Sequence, residues 1–326
     1  MPTVSVILVS WNTRDLLDAC LRSLRPQAEE VGGDVWVVDN DSADGSADMV
    51  ARCHPWVILI RNPGNMGFAR ACNTVIARTN APYLFFFNPD ATLEPGSLRT
   101  LVDLMEANPK FGALMPRLLD AEGRPTHFIG RAPRLAAVKL RLARILAWRV
   151  HHPAVRGMWE RTAQNYLSHS ATAGGPYDRD QLEGAALCVR RAALDEVGPF
   201  DPSFFCGWEE SDLTLRLRHA GWRLGMTPLA STLHWDSQSR VQWKWRHWEV
   251  PDGFYYWRKH KGRLGLWRHF RAERGRLKYH AAAGAPVEAI RRAQEEAFRS
   301  LWRNPAHPGY EGFWPDAPEA VLARDS

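Results

Sequence analysis

The chain opens as an alternation of short apolar runs and amphipathic stretches. Val4 to Val9 is a compact, β-branched run of the kind that forms a buried strand, and Ser10-Trp11-Asn12-Thr13 behind it is a turn able to cap a helix. Leu17, Cys20, Leu21 and Leu24 recur at i, i+3, i+4 and i+7, with Arg14, Asp18, Arg22 and Arg25 on other faces, which predicts an amphipathic helix ended by Pro26. Val35 to Val38 predicts a second strand running into Asp39-Asn40-Asp41-Ser42. Val57 to Ile60 predicts a third, followed by Arg61 to Gly67 and a helix from about Phe68 to Arg78. Tyr83 to Phe87 is bulky, brief and closed by Asn88-Pro89, so it reads as a fully buried fourth strand. Pro89 lacks an amide hydrogen and disfavours helical geometry at Asn88, which leaves Asp90 at the carboxyl edge of the sheet. Alternating strands and helices with short connections predict an α/β fold with a mostly parallel, Rossmann-like sheet flanked by helices. Such sheets bind ligands at that edge.

The second half is less regular. A helix follows Pro95 with Leu98, Leu101, Val102 and Met105 on one face, Phe111 to Met115 predicts another strand, and Glu122-Gly123-Arg124-Pro125 a hairpin turn. Arg131 to about His152 is rich in Leu, Ala and Arg with no acid, a helix suited either to packing on the domain or to a membrane surface. Gln164 to Arg179 reads as a loop. Glu183 to Arg190 predicts a returning strand and Arg191 to Val197 a short helix stopped at Gly198-Pro199. Glu209, Glu210 and Asp212 crowd the start of a helix continued by Leu213 and Leu217; acids in a first turn are favoured by the helix dipole, and the apolar residues around them also direct at least one toward a cleft. A short strand from Trp222 to Met226 precedes Thr232-Leu233-His234-Trp235, where His234 at a strand end is a candidate metal ligand.

Composition narrows the class. With 326 residues, 45% of them hydrophobic and 24% charged, the chain can bury a sizeable core and is not globally disordered. No apolar run nears the roughly 20 residues of a membrane span, and no leader pattern precedes Val4, which predicts a cytoplasmic protein. The five cysteines form no C-x-x-C pair, so neither a zinc knuckle nor a disulfide framework is expected. No G-x-G-x-x-G, no phosphate-loop motif and no G-x-S-x-G elbow occurs.

Asp39 and Asp90 at strand ends, with a late acidic cluster and a histidine, suit a nucleoside-diphosphate site with a divalent cation. One carboxylate and one imidazole leave coordination positions open for phosphate oxygens, which fits Mn or Mg. Asp39 can accept from a base or ribose, and Asn65 with the backbone at Gly67, at a helix start, can face phosphate. Glu210, beside Glu209 and Asp212, is the candidate general base.

These same stretches resemble glycosyltransferase family two, above all its bacterial rhamnosyltransferase-like branch: Val4 to Thr13, Val37-Val38-Asp39-Asn40-Asp41-Ser42, Asn62 to Ala69 with Asn73, Asn88-Pro89-Asp90, and Gly198-Pro199-Phe200-Asp201 through Asp212-Leu213. The resemblance spans roughly residues 3 to 240. It implies a GT-A fold, inverting transfer from a dTDP-, UDP- or GDP-linked sugar, and a glycan or polyprenyl-linked acceptor in cell-surface polysaccharide synthesis. It further implies that Asn12, Asp39, Asp41, Asn65, Gly67, Asn88 and Asp90 hold the nucleotide sugar, that Asp90 and His234 bind the metal, and that Glu210 or Glu209 is the base. Apart from the resemblance, Trp208 suits stacking on an acceptor sugar face and equally suits the core, and Asp212 is placed with it on the acceptor side. Two departures stand out. The D-x-D element reads Asn88-Pro89-Asp90, with one carboxylate, and the usual Glu-Asp pair reads Glu209-Glu210.

The expected organisation is a catalytic domain over 1–240, with an insertion at 131–179, and a helical, aromatic and basic extension over 241–326. Net charge is +6, and between Arg258 and Lys278 nine Lys or Arg stand against the single Glu273. With Trp243, Trp245, Trp248, Tyr255, Tyr256, Trp257 and Trp267 interleaved, this suits a membrane interface or a charged lipid-linked acceptor better than nucleic acid, and suits a plain packed helical appendage as well as either. A sugar nucleotidyltransferase would normally carry a Gly-rich, basic loop after the first strand, where Ser10-Trp11-Asn12-Thr13 stands. A non-catalytic carbohydrate-binding protein would not require Asp39, Asp90 and Glu210 together.

Overall fold

The computed structural model describes residues 1–126, 176–179, 181–235, 249–282 and 287–306. The strands are β1 (Val4–Ser10), β2 (Asp34–Asp39), β3 (Ile58–Arg61), β4 (Tyr83–Phe87), β5 (Ala91–Leu93), β6 (Phe111–Leu119), β7 (Tyr177–Asp178), β8 (Ala186–Arg190) and β9 (Arg223–His234). The helices are α1 (Arg14–Val31), α2 (Ser46–Cys53), α3 (Phe68–Ile76), α4 (Ser97–Ala107), α5 (Arg191–Val197), α6 (Glu209–His219), α7 (Glu249–Ala282) and α8 (Val287–Arg303). The helix expected over 131–152, most of the 164–179 loop, and Trp243, Trp245 and Trp248 lie outside the described residues.

One sheet runs β3-β2-β1-β4-β8-β6-β9-β5, with β7 alongside β9. The N-terminal half is parallel, as the strand and helix alternation dictates: β1 pairs with β2 and β4, and β2 with β3. Beyond β4 the sheet is mixed, because β8 enters antiparallel between β4 and β6 while β9 runs parallel to β6. Helices on both faces bury a continuous core that includes Phe85, Phe86 and Phe87, each fully shielded. β4 therefore reads as five consecutive apolar residues rather than as an alternation.

Local expectations needed three corrections. Pro26 does not end α1: the helix runs on to a left-handed Gly32, since Gln27, Ala28 and Val31 gain burial that outweighs the one backbone bond Pro26 forgoes. Trp222–Met226 and Thr232–His234 belong to the single long strand β9, whose pairing with β6 shifts register between Pro116 and Arg117. A three-residue strand, β5, follows Asp90 directly.

The C-terminal part is helical. α7 breaks at Gly262, whose φ of 63° and ψ of −161° are non-helical, and α7 and α8 share a small apolar cluster of Phe254, Leu266, Ala293, Ala297 and Leu301. Among the described residues no helix is long and apolar enough to cross a membrane.

Candidate active site

Ser10 and Asp39 are paired in the β1–β2 ladder, and β4 lies on the other side of β1, so the ends of three parallel strands open on one edge. Asn40 knits the loops there. Its backbone N–H donates to the Ser10 carbonyl (2.8 Å), its Nδ2 donates to Asn65 Oδ1 (3.1 Å) and the Gly67 carbonyl (3.2 Å), and its Oδ1 accepts from Asn62 Nδ2 (2.8 Å). Asn65 Oδ1 also accepts from Gly67 N–H (3.0 Å), so one side chain shapes the turn that starts α3. Asn40 escaped the sequence reading although the Asp-Asn-Asp run contained it.

Gly67 has a φ of 79° and a ψ of 177°, a region that only glycine enters freely, and an added Cβ would sit 2.4 Å from the Phe205 carbonyl oxygen. The loop before α6 is thus laid directly on the start of α3, and Phe68 N–H donates to that same carbonyl at 2.6 Å.

Between these walls lies a cavity of ≈ 490 Å³. Asn65, Gly67, Asn88, Glu209, Glu210 and His234, all singled out from sequence, line it, as do Asn40, Trp11 and Glu183. Asp90 is 1% exposed, and its Oδ1 is 3.4 Å from His234 Nε2. They meet because β5 pairs antiparallel with the end of β9, Ala91 opposite His234, and Trp235 N–H donates to the Asp90 carbonyl (3.1 Å). Among the described residues no cluster of three or more His, Cys, Asp or Glu is arranged to hold a metal. The protein offers one carboxylate and one imidazole, a donor set that fits a divalent cation completed by oxygens from a ligand.

Asp39 is 3% exposed. Its Oδ2 accepts from Ser42 N–H (3.0 Å), while its Oδ1, equally buried, has no hydrogen-bond partner among the described residues. A buried carboxylate oxygen left unmatched is costly unless a ligand supplies the donor. Asn12 and Asp41 both have positive φ, 54° and 64°. Asn12 braces the neighbouring loop, accepting from Ala43 N–H (2.7 Å) and donating its own N–H to Ser42 Oγ (2.9 Å), and Asp41 is exposed beside it.

Glu209 and Glu210 open α6. Glu209 is 5% exposed, and its Oε2 has no hydrogen-bond partner among the described residues. Burial first, and the adjacent Glu210 charge second, push its carboxyl well above the ordinary glutamate range. The native state therefore holds a proton that the unfolded chain has released, and stability falls as pH rises from about 4.5. Glu209→Gln, neutral throughout, is expected to raise Tm relative to the wild type at pH 8, with the gap closing toward pH 4. A thermal melt series across that range checks it, and a gap of the opposite sign would exclude the buried-proton account.

Trp208 and Asp212 both turn toward α7. Trp208, at a φ of 75°, stacks toward Tyr256 (centroids 5.0 Å) and meets His269 edge-on (6.0 Å). Asp212 is wholly buried among Arg216 (2.8 Å), Lys259 (2.6 Å) and His260 (2.7 Å). Apart from Arg216, one helical turn on, their partners lie on α7, 47 to 61 residues downstream, where no local pattern could announce them.

Comparison with known proteins agrees with this arrangement. Residues 5–149 match the family described as glycosyl transferase family 2. The N-acetylglucosaminyl-diphospho-decaprenol L-rhamnosyltransferase of Mycobacterium tuberculosis is 28% identical over 247 residues, covering 72% of this chain and 76% of that protein. A mannosyltransferase from Pyrobaculum calidifontis, solved with GDP-Man and Mn2+, superposes with a TM-score of 0.53 at 18% identity, over 93% of this chain and 84% of the other. GalNAc-T7, solved with UDP, GalNAc and Mn2+, gives 0.54 at 13% identity, over 93% of this chain and 56% of the other. The fold is that of the GT-A glycosyltransferases. Over residues 5–149 the chain thus carries a likeness to glycosyl transferase family 2, and the proteins it is similar to are glycosyltransferases.

Proposed function

We propose that the chain transfers a sugar, with inversion, from a nucleoside-diphosphate donor to a hydroxyl of a glycan or polyprenyl-linked acceptor in cell-surface polysaccharide synthesis. The observation that carries this is a single cavity lined by the α3 turn, by Asn88, by His234 beside Asp90, and by Glu209 and Glu210. L-rhamnose is the first sugar to test, on the likeness to the mycobacterial rhamnosyltransferase.

Asp39, with its unmatched Oδ1, accepts a hydrogen bond from the base or ribose. Asn65 and the backbone at Gly67 face the diphosphate at the start of α3, where helix geometry favours anions. Asp90 and His234 would hold a divalent cation, which supplies positive charge where the diphosphate departs. Glu209, keeping its proton, leaves Glu210 as the carboxylate of the pair. Glu210 takes the proton of the acceptor hydroxyl; that oxygen bonds to the anomeric carbon as its bond to the diphosphate oxygen breaks on the opposite face. The nucleoside diphosphate leaves.

A panel of dTDP-, UDP- and GDP-sugars, followed by release of nucleoside diphosphate with and without Mn2+, tests the reading. Release from one nucleotide series is expected. No release and no thermal shift with any of them would reject it. Asp90→Ala is expected to abolish Mn2+ binding measured by calorimetry on the protein without nucleotide sugar, since it leaves His234 as the lone donor of the pair.

The acceptor side motivates a second element of the proposal. On the outer part of the C-terminal helices Leu264, Trp267 and Trp302 are 58%, 41% and 39% exposed. Arg263 lies over the Trp302 ring (5.6 Å) and Arg271 over Trp267 (5.1 Å). Exposed indoles flanked by guanidinium groups suit the interface of an anionic bilayer. The full chain is expected to float with vesicles containing phosphatidylglycerol and not with phosphatidylcholine alone, and the double variant Trp267→Ala, Trp302→Ala to remain at the bottom. Equal flotation of wild type and variant would remove these residues from any membrane contact.

A further inference from the structure

The loop that presents Glu209 and Glu210 is held in an unusual conformation. Gly207 and Trp208 both have positive φ, 99° and 75°, and a bulky residue stays there only when its surroundings over-determine it. On one side the loop is fixed to the start of α3 through the Phe205 carbonyl. The other side is held from outside the sheet domain. Asp252, Tyr255, Tyr256, Lys259 and His260 of α7 fall at i, i+3, i+4, i+7 and i+8, one face of a helix, and every one of them meets the segment from Asp201 to Asp212. Asp252, fully buried, accepts from the backbone N–H of Phe205 (3.1 Å) and of Cys206 (3.2 Å) through one oxygen, Oδ2. Tyr255 donates its hydroxyl to Asp201 (3.0 Å), and Lys259 bridges Asp201 (2.7 Å) and Asp212 (2.6 Å). His260 meets Asp212 at 2.7 Å, and Tyr256 packs on the Trp208 ring.

We propose that this face of α7 is a positioning clamp on the catalytic loop, with Asp252, Lys259 and His260 as positioning residues that set where Glu209 and Glu210 stand in the cavity. The C-terminal helix is then a working part of the active site, and the break at Gly262 divides the clamp from the stretch of α7 that carries Trp267. The catalytic half of the inference rests on the transferase reading above, whereas the mechanical half stands without it. The two carboxylates answer different needs. Asp252 fixes the loop backbone through paired amides, and Asp212 ties the first turn of α6 to α7 through side chains.

Asp252→Ala and Asp252→Asn in the full chain separate the possibilities, because an asparagine Oδ1 can still accept both amides and an alanine cannot. In Asp252→Ala, amide exchange over 203–212 is expected to quicken by about tenfold with β1 to β4 unchanged. Its kcat on whichever nucleotide sugar the wild type turns over should fall about thirtyfold, with KM within about threefold. Asp252→Asn should stay within about threefold of the wild type on both measures. Unchanged exchange in Asp252→Ala, or an Asn variant as impaired as the Ala one, overturns the clamp. If Asp252→Ala does not fold, Lys259→Met takes its place, since Arg216 and His260 still face Asp212, and the same local rise in exchange is expected. A wild type that turns over no nucleotide sugar counts against the transferase reading, and the exchange comparison still decides the clamp.

Discussion

Glu210→Gln is expected to fold normally and, on the proposed transferase reading, to transfer sugar about a hundredfold more slowly than the wild type, or worse. The reasoning runs from burial to charge. Glu209 is the more enclosed of the two acids, and burial together with its neighbour's charge keeps its proton on. Glu210 is half-buried and lines the cavity, and it is the base of the proposed transfer. Glutamine has the same shape and packs equally well against Gly184, so the loss should fall on kcat while nucleoside diphosphate titrates as in the wild type. Wild-type turnover in Glu210→Gln combined with loss in Glu209→Gln would transfer the base role to Glu209.

Asp212→Asn is expected to cost stability. Burial alone would push the Asp212 carboxyl up, yet hydrogen bonds from His260 and Lys259 and the Arg216 charge outweigh it and bring it down to about 2. Measured from the ordinary value of 3.8, that depression corresponds to about 2 kcal/mol of stability at neutral pH. The variant should therefore lose about 2 kcal/mol and melt about 5 °C lower. The sign with pH follows. A depressed carboxyl stabilises the fold above its unfolded value and stops doing so as pH falls through the folded one, so the gap between wild type and variant narrows below pH 3.8 and closes near 2. A variant melting within about 2 °C of the wild type at pH 7 would contradict the ion cluster's role.

How far the sequence carried the fold depended on the range of the forces involved. β1 to β4 and the helices between them follow from apolar periodicity and turn residues, both local, and the carboxyl-edge position of Asp39 and Asp90 follows from those strands. The pairing of Asp90 with His234 does not. It depends on β5, three residues with no alternation long enough to register, finding the end of β9. The same limit explains Pro26, where a local breaker is overridden by burial on both sides of it. It also explains Trp208 and Asp212, whose acidic and aromatic character drew attention to the right loop but whose partners on α7 are tertiary. Asn40 was the reverse case, a residue in plain view whose importance lay in a three-loop hydrogen-bond network.

The short ladder between β5 and β9 also orders events during synthesis. Asp90 emerges from the ribosome 144 residues ahead of His234, and the strands that carry them touch only after β9 is complete. A nascent chain with its parallel half already folded therefore holds Asp90 without the imidazole that later stands beside it, and the pair is assembled only when the last strand closes the edge.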